Sequence, residues 1–244
     1  MRTFRTLVTG ISGTGKTRLS KQLLRPVNRL IFVDPLQEWG DECQAVFSWS
    51  EFFQEVKKPR FRIAVWIEHD PPEMVDILIR ASRDPAVGNC VLAIDELSLF
   101  FDSARPSEDV AGLVRFGRRQ QVHFWGITQR YVDTPLIVRT QLSNVIAFRT
   151  HELPDIERLA SLVGSKDQAQ QVMQLPDGDY LSWDLTTRGD PERGRVRGFQ
   201  QYRGNRSGGV PGGGVRFASD HPGDDAARSG LTEDPESDSE GELE

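Results

Sequence analysis

Cysteine is scarce in this chain, and long apolar runs are missing altogether. Its two cysteines, Cys43 and Cys90, stand far apart in 244 residues and match no metal-ligand spacing, which excludes a disulfide scaffold and a cysteine-built zinc site. Cys90 opens an apolar run, where a small buried thiol is the ordinary reading, and a reducing compartment is expected. No stretch approaches the roughly 18 apolar residues that a membrane helix needs. The start, "MRTFRTLVTG", carries Arg2 and Arg5, but its apolar run is shorter than a signal-peptide core and meets a glycine-rich loop at once. A soluble protein is expected.

Apolar residues make up only 37% of the chain, low for a sequence that is globular throughout. The net charge of −6 is unevenly spread: ten of the 36 acidic residues but three of the 30 basic ones lie from Asn205 onward, so 26 acidic and 27 basic residues precede it. The segment after Tyr202 is rich in glycine, serine, proline and acid and has no apolar periodicity. Such a composition buries too little apolar surface to offset the entropy of ordering, so residues 203–244 are expected to be a disordered acidic tail behind a folded domain of residues 1–202.

Within that domain, short apolar runs alternate with amphipathic stretches of helical length. Strands are expected at Phe4–Thr9, Leu30–Asp34, Phe61–Ile67, Val91–Asp95, Val122–Thr128 and Val145–Arg149. Helices are expected at Gly15–Leu24, Pro72–Ser82, Glu108–Gln120 and Leu153–Val163, with "DYLSWDL" and "RVRGFQQY" as a terminal hairpin or edge strands. This alternation predicts an α/β fold with a mainly parallel sheet and helices on both faces.

The stretch "LVTGISGTGKTRLSKQLL" carries the chemistry. Gly10, Ile11, Ser12, Gly13, Thr14, Gly15, Lys16 and Thr17 satisfy G-x-x-x-x-G-K-[ST] between an apolar strand and a helix, the context a phosphate-binding loop requires. Glycines let successive amides turn toward phosphate oxygens while the helix amino terminus adds positive potential. Lys16 would reach the β and γ phosphates, and Thr17 would offer its hydroxyl to Mg²⁺. ATP or GTP is the expected ligand.

A second acidic site follows in "CVLAIDE". Asp95, at the end of an apolar strand, is expected to hold the magnesium, and Glu96 to polarise water for attack on the γ phosphate. A group-transferring kinase does not need that second carboxylate, so hydrolysis is favoured. The strand "VHFWGIT" then stops at Gln129, a polar residue able to touch the γ phosphate and report its loss.

Together, "GISGTGKT", "LIFVDP", "VLAIDE", "FGRRQQVHFWGITQR" and "NVIAFRTHELPDIERLASLVG" resemble the HerA/FtsK superfamily of DNA-pumping P-loop ATPases of the RecA/ASCE-like type, from about Leu7 to Gly164. Within it, the short length is most similar to the genome-packaging ATPases of tailless, membrane-containing icosahedral viruses. The resemblance implies a ring, often a hexamer, that hydrolyses ATP with Mg²⁺ and draws double-stranded DNA into a capsid. It also implies Gln129 in the sensor position, an arginine finger reaching the neighbouring subunit's ATP, and a capsid-vertex or membrane-associated partner in the host cytoplasm or the virion. Arg118 and Arg119 are the finger candidates; a solvated helix face or DNA-phosphate contacts are the other readings for them and Arg115. Tyr131 stands where relatives commonly have proline.

Other readings stay open: a filamentous-phage assembly ATPase similar to the zonula occludens toxin family, a small-molecule or nucleotide kinase, and a nucleotide-gated scaffold. Asp34 either borders the nucleotide or forms a turn. The late arginines Arg188, Arg193, Arg195, Arg197, Arg203 and Arg206 either line a DNA pore or solubilise a hairpin. The acidic tail either masks basic surface until assembly, contacts a basic partner, or only solvates the chain.

Overall fold

The computed structural model describes residues 3–101, 106–117, 119–187 and 189–199. The expected tail at 203–244, Arg118 and three of the late arginines, Arg188, Arg203 and Arg206, lie outside the described residues.

In chain order the elements are β1 (Arg5–Thr9), α1 (Lys16–Leu24), β2 (Arg29–Val33), β3 (Gln44–Val46), α2 (Trp49–Glu55), β4 (Phe61–Val65) and α3 (Pro71–Arg83). They continue with β5 (Val91–Ile94), α4 (Glu108–Phe116), β6 (His123–Thr128), α5 (Leu136–Arg139), β7 (Asn144–Phe148), α6 (Leu153–Val163), α7 (Lys166–Gln170), β8 (Asp179–Asp184) and β9 (Glu192–Arg195). Among the described residues the strands form one sheet in the order β3-β4-β2-β5-β6-β1-β7-β8-β9. The strands from β3 to β7 in that order run parallel, and β8 and β9 are added antiparallel.

The apolar runs read as strands because both of their faces are covered. Leu7, Ile31, Val33, Ile63, Leu92 and Ile94 point to one face, where Val75, Leu78, Leu113 and Leu159 of the helices meet them. Val8, Leu30, Phe32, Ala93, Trp125 and Ile127 point to the other, under Leu19 and Leu24 of α1. Adjacent residues of a strand alternate between faces, so a strand buried on both shows no polar alternation in its sequence.

The terminal hairpin is present but shifted, with β9 at Glu192–Arg195 rather than along "RVRGFQQY". Past it, Gly198 takes φ +65 and turns the chain over, which ends the strand. Helix α4 ends at Phe116 and not at Gln120, with Gly117 as its carboxyl cap. The three-residue β3 and the helix α2, capped by the Ser48 side chain on the Glu51 amide, are additions to the expected elements.

Candidate nucleotide site

Strand order decides which loops meet. Strand β6 pairs with β1 on one side and β5 on the other, so the ends of all three converge at one edge of the sheet. The loop Gly10–Gly15 follows β1, Asp95 and Glu96 follow β5, and Gln129 follows β6. This is the carboxyl edge of parallel strands, where α/β sheets bind ligands.

The loop is fixed at both of its flanks. The Ile11 amide donates to the Arg149 carbonyl at 3.0 Å, and a β-carbon on Gly10, at φ +140, would lie 2.7 Å from that of Phe148. The Thr14 hydroxyl donates to the Ile11 carbonyl at 2.8 Å, and the Thr14 carbonyl accepts from the Gly178 amide at 3.0 Å. Ser12 and Gly13 stay exposed, with open space beside Gly13. Helix α1 starts behind Gly15 without an acidic residue in its first turn, so its leading amides and positive end face the loop.

Lys16 is buried, and its ammonium donates to the carbonyls of Gly10 at 2.7 Å and Ile11 at 3.0 Å. Burial lowers its pKa, while Glu96 and Asp95 oppose that change. Asp95 is 4% exposed; burial raises its pKa to about 6, with Glu96 and Glu38 adding to the rise and the Glu96 amide and Lys16 opposing it. Glu96 itself takes φ +48, a left-handed conformation costly for a residue with a β-carbon. Its carboxylate accepts a hydrogen bond from Gln129 Nε2 at 2.9 Å. The groups predicted for metal, base and sensor therefore share one cavity of about 390 Å³ with Lys16 and Thr17.

Among the described residues no cluster of three or more metal-ligating side chains exists. One threonine hydroxyl and one buried carboxylate beside a phosphate loop nevertheless fit Mg²⁺, which takes few protein ligands and completes its shell with water and phosphate oxygens.

Four residues of this cavity carry no motif in the sequence: Arg18, Leu36, Glu38 and Phe199. Asp34 explains two of them. Its carboxylate is almost fully buried and accepts from the amides of Glu38 (3.0 Å) and Trp39 (2.9 Å) and from the Trp66 indole (2.8 Å). The turn reading of Asp34 is the one observed, and that turn presents Leu36 and Glu38 to the site.

Arg119 is exposed and lies on the segment entering the amino end of β6, at the sheet edge opposite the cavity, and does not line it. Among the late arginines, Arg193 and Arg195 pair with Asp179 at 2.7 and 3.1 Å, which fixes them on the hairpin. A separate cleft of about 420 Å³ lies between α5 and α6, lined by Val132, Arg139, Pro154, Glu157, Arg158 and Ser161. Arg139 stacks over the Tyr131 ring, and its buried Nε has no hydrogen-bond partner.

No family model and no curated protein matches the sequence. Among solved structures, the chain is similar to the genome packaging NTPase B204 from Sulfolobus turreted icosahedral virus 2 in complex with AMPPCP, with a TM-score of 0.67 and 20% identity over 78% of this chain and 96% of that one. It is also similar to B204, the DNA-packaging ATPase from Sulfolobus turreted icosahedral virus, with a TM-score of 0.65 and 18% identity over 79% and 98%. VirB4 of Thermoanaerobacter pseudethanolicus follows, with a TM-score of 0.53 and 12% identity over 79% and 88%. The likeness shows a shared fold, a mainly parallel sheet with a phosphate loop after its first strand.

Proposed function

We propose that this chain is an ATPase that moves double-stranded DNA into a viral capsid, working as a ring of identical subunits. The observation that carries the reading is the hydrogen bond between Gln129 and Glu96 at the ends of adjacent strands, across a cavity from Lys16. A carboxylate next to the metal-binding aspartate and held by a polar strand end suits water activation, a role a kinase would give to its acceptor site. The likeness to viral packaging NTPases supports the biological role.

In this reading the loop amides and Lys16 hold the phosphates, and Lys16 exchanges its loop carbonyls for phosphate oxygens. Thr17 and Asp95 would hold Mg²⁺, which when bound neutralises charge on the phosphates. Glu96 takes a proton from the attacking water. Gln129, within reach of both Glu96 and the cavity, aligns that water and relaxes when the γ phosphate leaves. Arg118 and Arg119 serve a neighbour's site, consistent with the position of Arg119 away from its own. The cleft with Arg139 and Arg158 suits DNA phosphates: two cations line it beside one carboxylate, Glu157, and it starts three residues after the sensor. Residues 1–202 form the motor and 203–244 its acidic tail.

The test is steady-state ATP hydrolysis with and without double-stranded DNA, in the native chain and in Glu96→Gln, at several protein concentrations. DNA stimulation that is steep in protein concentration and lost in the variant supports the assembled motor. Turnover indifferent to DNA overturns the translocation reading, and no turnover overturns the enzyme reading.

A further inference from the structure

The carboxyl end of the described chain is built onto the phosphate loop. The Gly178 amide donates to the Thr14 carbonyl at 3.0 Å, and the Val196 amide donates to the Gly178 carbonyl at 2.8 Å, so a chain of backbone hydrogen bonds runs from the loop to the segment after β9. Gln22 of α1 grips the same segment from the other side, donating to the Arg197 carbonyl at 2.9 Å and accepting from its amide at 3.3 Å. Gly198 then reverses the chain, and the ring of Phe199 comes down on Gly15 and Gly178. A β-carbon on Gly178 would meet that ring at 2.6 Å, and one on Gly15 at 3.1 Å. Two glycines at positive φ thus form the seat of one aromatic ring.

That ring also lines the nucleotide cavity. The cavity has two ends. Asp95, Glu96 and Gln129, gathered at the ends of β5 and β6, mark the end where the terminal phosphate reacts in the ATPase reading. A triphosphate with its γ group at this end points its nucleoside the other way, past the first turn of α1. Arg18, on that turn, lines the cavity, as does Phe199, whose ring rests on Gly15 behind it, and Phe199 is the one aromatic ring among the cavity's described lining residues. An aromatic ring held in place by its backbone is the group that recognises a purine face.

Resting on the ATPase reading above, we propose that Phe199 is the stacking platform for the nucleobase of the bound nucleotide. The hairpin β8–β9, outside the parallel sheet, then has a purpose, which is to deliver this one ring to the loop.

The experiment compares binding of ATP with binding of inorganic tripolyphosphate, which has the phosphates and lacks the base, by calorimetry on the full chain with Mg²⁺. Phe199→Ala should weaken ATP about tenfold and leave tripolyphosphate unchanged. Phe199→Trp should restore ATP affinity, and its fluorescence should respond to ATP and not to tripolyphosphate. Equal weakening of both ligands by Phe199→Ala, or of neither, overturns the proposal; in the first case the ring only supports the loop. Failure of the native chain to bind either ligand overturns the nucleotide reading itself, and this proposal with it.

Discussion

Gln129 donates a hydrogen bond from Nε2 to Glu96 Oε1 at 2.9 Å, linking the ends of β6 and β5. The Glu96 backbone stands in a left-handed conformation, which for a non-glycine residue costs on the order of 1–3 kcal/mol. Strain held at that position together with an exposed polar partner places the carboxylate instead of leaving it to swing. Glu96→Gln is expected to lower turnover by about 10²- to 10⁴-fold while ATP binding by calorimetry is retained. Loss of binding together with turnover would count against a base role.

Asp95 gives a pH-dependent prediction. In the unfolded chain its carboxyl titrates at the ordinary value, while in the fold burial lifts it to about 6. Below both values the group is neutral in both states; between them the folded chain binds a proton the unfolded chain has released, so stability falls as pH rises through this window. Asp95→Asn should therefore stabilise the protein by about 2–3 kcal/mol above pH 7 and by little at pH 4. Denaturant titrations without Mg²⁺ or nucleotide measure this, and the same variant should not hydrolyse ATP. Equal stabilisation at both pH values would remove the ionised-carboxylate explanation.

The trans role of Arg118 and Arg119 is open to a mixing assay. Arg118→Ala/Arg119→Ala should lower turnover by about 10³-fold. Mixed with the equally inactive Glu96→Gln chain, it should recover part of the native rate, because some junctions then pair an intact glutamate with an intact arginine. No recovery on mixing would assign the arginines to a role within their own subunit or to surface charge.

For the cleft between α5 and α6, the readout is salt dependence. Native DNA affinity should fall steeply with salt. Arg139→Ala and Arg158→Ala should each reduce the slope of log affinity against log salt by about 1, equally across DNA sequences. An unchanged slope would move the DNA contact elsewhere.

The parts legible in the sequence are those whose signal is local. Gly10–Thr17 could be read because strand, loop and helix are contiguous, and Asp95 because it directly ends an apolar run. Gln129 could be placed beside Glu96 because β6 pairs with β5 and their ends fall side by side. Phe199 could not: nothing near it in sequence marks it as a site residue, and its position depends on pairing with Gly178 and Gln22 far up the chain. Glu38 escaped for a related reason, since it enters the cavity through a turn whose anchor, Asp34, also binds the distant Trp66. Strand β3 is short and half-exposed at the sheet edge, so its three residues carry no pattern. That Arg193 and Arg195 share Asp179 was likewise not legible, because the strand pairing of β8 with β9 is what brings the three together.

Strand β6 is buried at all six positions and hydrogen-bonded along both sides. A strand so placed can neither bow nor slip past its neighbours without breaking two ladders, so it behaves as a strut about 20 Å long. At one end it carries Gln129, which lines the cavity, and into the other end runs the segment bearing Arg119. A displacement imposed at the first end is delivered almost undiminished to the second. Two surfaces on opposite edges of the folded domain are thereby made mechanically one, and in the proposed motor the loss of a terminal phosphate would be announced on the far side without a change of fold.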